Sequence, residues 1–149
     1  MKIKDILKVK GSKVWMIKEA QAIHEALHLL ASRNIGALLV SDAGGQNIVG
    51  ILSERDIVRA LYEKRAKVEA LLVKDLMTKK VLMGSPEDEI GAVMELMTEK
   101  RVRHIPVMQH GVLLGIVSIG DVVKSLLQDS EHQIRHLKDY LYGPSTSAV

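Results

Sequence analysis

Apolar and polar positions alternate in two rhythms along this chain, and the same succession of rhythms occurs twice. A short β-prone run at Val14-Trp15-Met16-Ile17 is followed by apolar residues at helical spacing, Ile23, Ala26, Leu27 and Leu30, which predict an amphipathic helix from Ala20 to Arg33. Asn34 and Gly36 supply its end. Ala37 to Ser41 and Ile48 to Leu52 read as strands joined across Gly44-Gly45, and Asp56 to Arg65 reads as a second helix with Ile57, Val58 and Leu61 inward. The order is strand, helix, strand, strand, helix.

The second pass begins with a strand at Val81 to Met83. Ser85-Pro86-Glu87-Asp88 predicts a helix start with Ser85 as N-cap, and the helix runs to about Lys100. Strands at 102 to 107 and 113 to 117 lead to a helix beginning near Gly120, and Glu131 to Tyr142 reads as an extra helix before a frayed Gly143-Pro144-Ser145-Thr146-Ser147 tail. Ile23, Ala26, Leu27 and Leu30 match Ile90, Val93, Met94 and Met97 at a constant offset, and the loop at Ser41 to Asn47 is two residues longer than its counterpart at Met108 to Val112. Length varies where it costs least. Residues 3 to 9 form a short amphipathic lead-in, and Asp75-Leu76-Met77 echoes Asp5-Ile6-Leu7. The expected organisation is a first repeat over 1–66, a linker over 67–74, a second repeat over 75–128, and a C-terminal helix and tail over 129–149. One copy offers too little core to be safe alone, so the two are expected to pack about a pseudo-twofold axis.

The repeat is sharpest at Gly50-Ile51-Leu52-Ser53-Glu54-Arg55-Asp56, which returns as Gly115-Ile116-Val117-Ser118-Ile119-Gly120-Asp121. A strand becomes a helix at each Ser. The ordinary reading of each Ser-x-x-Asp is a helix cap worth about 1 kcal/mol. Two features favour more: both copies keep the short Asp, and both are preceded by Gly-apolar-apolar. A short carboxylate at a helix start can accept two hydrogen bonds from a vicinal diol, and the helix N–H groups beside it suit phosphate. That chemistry suggests a ribonucleotide.

The repeat order, the Gly-apolar-x-Ser-x-x-Asp corners and the strand Arg103-His104-Ile105-Pro106-Val107 resemble a tandem cystathionine β-synthase (CBS) domain pair, or Bateman module, over residues 3 to 128. The resemblance implies an α/β (α+β) fold of two β-α-β-β-α repeats. It also implies a regulatory role without catalysis or catalytic cofactor, a homodimer, and an adenine nucleotide as ligand: AMP, ADP, ATP, NAD or S-adenosylmethionine. Carried onto this chain, the ribose-binding pairs are Ser118 with Asp121 and Ser53 with Asp56. Adenine contacts fall on His104, Ile105 and Pro106 and on Ala37, Leu38 and Leu39. Met16 and Met83 belong to the pocket walls, and Arg55, Arg103, His104 and Lys124 are the candidates for phosphate. The first copy has Gly36-Ala37-Leu38-Leu39-Val40 where the second has Arg103-His104-Ile105-Pro106-Val107, so the two sites are expected to differ and Asp121 to mark the better one.

Composition narrows the rest. The 149 residues carry a net charge of +3 with both signs interspersed, and aromatic residues are 3% with no Phe, which argues against nucleic acid. The absence of Cys removes disulfides and thiol nucleophiles and fits a reducing cytosol, and no apolar run approaches a membrane span, so a cytoplasmic protein is expected. His24-Glu25-Ala26-Leu27-His28 matches the H-E-x-x-H zinc motif. The second repeat has Gly91 and Glu95 at the His positions and no third ligand is placed downstream, so zinc chemistry ranks last. His132 and His136 read as a solvated helix face. The alternative function is a ligand-free interaction module of the same fold, and an unidentified protein target fits either reading.

Overall fold

In the computed structural model, which describes residues 1–64 and 67–144, the chain runs α1 (Ile3–Lys10), β1 (Met16–Lys18), α2 (Ile23–Arg33), β2 (Ala37–Ser41), β3 (Ile48–Ser53) and α3 (Glu54–Lys64). A 3₁₀ turn (Val68–Ala70) and a single-turn helix α4 (Val73–Leu76) follow, then α5 (Ile90–Lys100), β4 (His104–Gln109), β5 (Val112–Ser118) and α6 (Ile119–Tyr142). The architecture is mixed α/β. The expected end of the second helix at Arg65 and the expected tail at 145–147 lie outside the described residues.

Among the described residues two compact units are present: those within 12–83 form one, and residues 1–11 join those from 84 to 144 in the other. The lead-in helix α1 therefore belongs with the second repeat, and α4 with the first.

In the unit of residues 12–83, β2 is the central strand, parallel to β1 and antiparallel to β3. Leu38, Leu39 and Val40 have no exposed surface, as a strand covered on both faces requires. Ile23, Ala26 and Leu30 of α2, Leu52 of β3 and Ile57 and Ala60 of α3 close on this sheet. In the other unit β4 and β5 pair antiparallel, and Ile90, Val93 and Met97 of α5 pack with Ile105, Val107, Val117 and Val122 at the corresponding positions. The apolar period thus marks the same core twice.

The two repeats match in detail. Each of α2 and α5 ends on a left-handed residue at the same repeat position, Asn34 (φ 51°) and Arg101 (φ 54°), after which Ile35 N–H donates to Leu30 C=O and Val102 N–H to Met97 C=O. Each hairpin carries a register irregularity at the same place, Val40/Ser41 and Val107/Met108.

Several local expectations are corrected. Val58 and Leu61 are 62% and 52% exposed, and Ala60, not Leu61, completes the inner face of α3. Ser85 is not the cap of α5, which begins at Ile90. Ser85 and Asp88 instead close a turn, with Ser85 N–H donating to Asp88 Oδ2 at 2.8 Å. The first N–H of α5, on Ile90, donates to Met1 C=O, and Ile3 and Lys4 N–H donate to Asp88 and Pro86 C=O. In the first repeat Ile23 N–H donates likewise to Leu71 C=O, and Val73 and Lys74 N–H to Gln21 and Glu19 C=O. A chain segment distant in sequence takes over the capping task, which no local pattern announces.

Residues 81–83 form no strand; an isolated parallel bridge falls on Gly84, whose N–H donates to Pro106 C=O and whose C=O accepts from Met108 N–H. Pro106, without an N–H, can serve this side of the strand only as an acceptor. Finally, α6 is one helix of 24 residues, not two. Nothing between Asp121 and Tyr142 breaks a helix, since that stretch has neither Gly nor Pro.

Candidate ligand site at the strand-to-helix corners

Each Ser-x-x-Asp pair sits where a strand ends and a helix begins. At the second corner Asp121 N–H donates to Ser118 Oγ at 3.2 Å, and Ser118 N–H donates to Asp121 Oδ2 at 2.9 Å. At the first, Asp56 N–H donates to Ser53 Oγ at 3.3 Å, while Ser53 N–H and Oγ donate to Asp56 Oδ2 at 2.9 and 3.0 Å. These are reciprocal caps, and they fix each carboxylate within the first turn of its helix.

The strand before each corner brings up its partner. His104 stands opposite Ser118 in the β4–β5 register, and Ala37 stands opposite Ser53 in β2–β3. Arg103 C=O accepts from Ile119 N–H at 2.8 Å, and Gly36 C=O accepts from Glu54 N–H at 3.0 Å, so one backbone bond in each unit pins the helix start to the preceding strand.

The last residue of α1 and the segment after α4 then close the two corners. Lys10 Nζ donates to Asp121 Oδ2 at 2.6 Å and to Ile116 C=O at 2.9 Å. Thr78 Oγ1 donates to Asp56 Oδ1 at 3.4 Å, and Thr78 exchanges two backbone hydrogen bonds with Ile51, the repeat counterpart of Ile116. The glycine of each motif makes room for this approach. A Cβ on Gly50 would meet Met77 Sδ at 2.6 Å and Thr78 O at 2.9 Å, and one on Gly115 would meet Leu7 Cδ2 at 2.8 Å. Leu7 and Met77 are the last residues of the Asp-apolar-apolar echo seen in the sequence.

Electrostatics separate the corners. Burial pushes the Asp121 carboxyl upward, but the hydrogen bond and charge of Lys10 and the bonds from Ser118 outweigh it, so Asp121 lies below the usual carboxylate range and stays ionised. Burial lowers His104, with Lys10 and Arg103 adding to the effect and Asp121 opposing it, which favours the neutral ring beside the carboxylate. At Asp56 the added contact is a neutral hydroxyl.

The remaining candidates fall into groups. Leu38, Leu39, Ile105 and Pro106 are buried and line the core side of the two corners. Ala37 is half-buried; Met16, Met83, Arg55, Arg103 and Lys124 are exposed. Lys10 and Thr78 are the residues that sequence reasoning missed; the Asp5/Asp75 echo pointed to their segments without showing where they fold.

An open concavity of about 620 Å³ runs along one face of α6 from Ile119 and Gly120 past Lys124 to Glu131. It begins beside the Asp121 corner but is formed by a single helix, and the convergent polar groups are at the corner. His24 and His28 are exposed on α2, and among the described residues no group of three or more His, Asp or Glu side chains could hold a metal ion. Also among the described residues, no helix is long and apolar enough to cross a membrane.

Known proteins show the same pattern. The chain is 33% identical over 149 residues to a mitochondrial CBS domain-containing protein of Arabidopsis thaliana, a match covering 95% of this chain and 72% of that one. The crystal structure of a CBS-domain containing protein from Agrobacterium tumefaciens superposes with a TM-score of 0.81 at 39% identity, covering 85% of this chain and 99% of the other. At 24% identity, the CBS domain pair of protein MJ0100, solved in complex with 5′-methylthioadenosine and S-adenosyl-L-methionine, shares the fold with a TM-score of 0.71 over 87% of this chain and 98% of that one. The CBS domain profile matches residues 3–63 and 73–128, and with the duplicated corners already described it makes this chain a member of the CBS domain family, carrying two copies of the domain.

Proposed function

We propose that the protein is a non-catalytic regulatory module that binds an adenosine-containing ligand, an adenine nucleotide of the AMP, ADP, ATP or NAD type, at the Ser118–Asp121 corner. One observation carries the reading: an ionised, half-buried carboxylate is fixed at the first turn of a 24-residue helix, next to a neutral-leaning imidazole and a lysine ammonium. A carboxylate so placed suits a ribose diol, and the cations and helix N–H groups beside it suit phosphate. The solved complex of a related CBS pair with two adenosine compounds supports the ligand class. The Asp56 corner is the second, weaker site. A signal arises if the ligand binds two arrangements of the module with different affinity.

Calorimetric titration with AMP, ADP, ATP, NAD and S-adenosylmethionine tests the proposal. Saturable binding that Asp121→Ala weakens by at least about tenfold, the scale of one charge-assisted hydrogen bond, supports it. Unchanged affinity refutes the assignment of the site.

A ligand-free interaction module is the second reading, favoured by one fact: each carboxylate already has a partner within the chain, Lys10 or Thr78. Absence of binding by folded protein would select it. Under either reading we propose self-association as a homodimer, supported by Val123, Leu127, Ile134, Leu137 and Leu141, which recur at spacings of three, four or seven residues on α6 and are 37–60% exposed. Light scattering decides this. A cytosolic setting and an unidentified protein target complete the proposal; the absence of cysteine supports the first.

A further inference from the structure

Resting on the reading of Asp121 as the ribose-binding carboxylate, we propose that Lys10 makes that corner selective for anionic nucleotides over uncharged nucleosides. At the Asp56 corner Thr78 takes the corresponding place, and the preference there is for uncharged or cationic adenosine compounds.

Lys10 spends two of its ammonium donors on Asp121 Oδ2 and Ile116 C=O. A diol that takes both oxygens of Asp121 must displace the ammonium from the carboxylate. An uncharged nucleoside offers the displaced cation nothing in return, so the ion pair competes with it. A nucleotide brings phosphate oxygens, and a lysine on its flexible stem can exchange one anion for the other. Arg103 adds its positive charge beside His104, and Lys124 follows Asp121 by three residues on α6.

Thr78 cannot make that exchange. Its backbone is bridged to Ile51 by hydrogen bonds of 3.0 and 2.9 Å, and its hydroxyl carries no charge. Among the described residues no ion pair forms at Asp56, which favours a sulfonium or an uncharged ribose compound and disfavours phosphate.

The test uses full-length protein and calorimetry with two probes, AMP and adenosine. In the Asp56→Ala background, which isolates the Asp121 corner, AMP is expected to bind at least about tenfold tighter than adenosine, the scale of one charge-assisted bond. Lys10→Met and Lys10→Gln should each reduce that ratio to about threefold or less, and Lys10→Arg should retain it. Lys10 is exposed at the end of α1, and circular dichroism verifies the fold of each variant. A ratio that survives both neutral substitutions overturns the role of Lys10. In the Asp121→Ala background, tighter binding of AMP than of adenosine overturns the assignment at Asp56. If folded wild-type protein binds neither probe, the adenosine reading itself fails and this inference with it; loss of selectivity is a different result from loss of binding.

Discussion

The two corners share a backbone and differ in charge. Both have the reciprocal Ser–Asp cap, the backbone bond to the preceding strand and a glycine under the crossing segment. The crossing segment, however, brings a threonine that is backbone-bridged to β3 at Asp56 and a lysine that makes only side-chain contacts at Asp121. The first corner is thus held more by structure, the second more by electrostatics. Duplication preserved the scaffold and left the contact to the carboxylate as the variable part.

That contrast predicts unequal responses. The largest is expected from Gly50→Ala, whose new methyl would clash with the Thr78 backbone oxygen as well as with Met77. A loss of about 3 kcal/mol is expected in denaturant unfolding. Gly115→Ala clashes with the end of the Leu7 side chain, which can turn aside, and touches the Gly11 oxygen at an ordinary 3.8 Å, and it should cost about 1 kcal/mol. Equal costs would mean that the two crossings are equally rigid.

Next in size, Asp121→Ala should weaken nucleotide binding by at least about tenfold while Asp56→Ala changes it by about threefold or less, as isothermal titration would show. Ser118→Ala and Ser53→Ala should each cost about 1 kcal/mol of stability through the lost cap, measured by thermal unfolding. A marked difference between them would show that one serine does more than cap.

The smallest effect is pH-dependent and confined to one unit. Glu87 is brought down from 4.5 to about 2 by hydrogen bonds from Lys2 and Lys4 and by their charges. Because its folded value is depressed, the attachment of α1 that it supports is present above pH 4.5 and is lost as pH falls toward 2. The corresponding position in the first repeat is Ala20, so hydrogen exchange should loosen at α1 and not at α4 on acidification. Parallel loosening of both would assign the effect to general unfolding.

Much of this was legible in the chain. Ala37–Ser41 is the strand that its apolar run predicts, and the offset between repeats located equivalent core positions such as Ile23 and Ile90. The Ser–Asp corners were visible because their residues lie three apart and act locally. What escaped was long-range. The carbonyls of Met1 and Leu71 occupy the starts of α5 and α2, so the Ser85-Pro86 signal closes a turn instead of a helix. Lys10 reaches Asp121 across more than a hundred residues, and no periodicity encodes that meeting. Val58 and Leu61 mislead for the opposite reason: the pattern identifies an apolar face, and the short helix turns the small Ala60 to the core and leaves the larger side chains outside.

The central claim is that the Asp121 corner is the stronger adenosine-ligand site. Calorimetric titration of AMP into nucleotide-stripped wild-type, Asp121→Ala and Asp56→Ala protein tests it most directly. The account predicts saturable binding that Asp121→Ala removes or weakens at least about tenfold and that Asp56→Ala largely spares. Equal affinity in wild-type and Asp121→Ala protein, both shown to be folded, would contradict it.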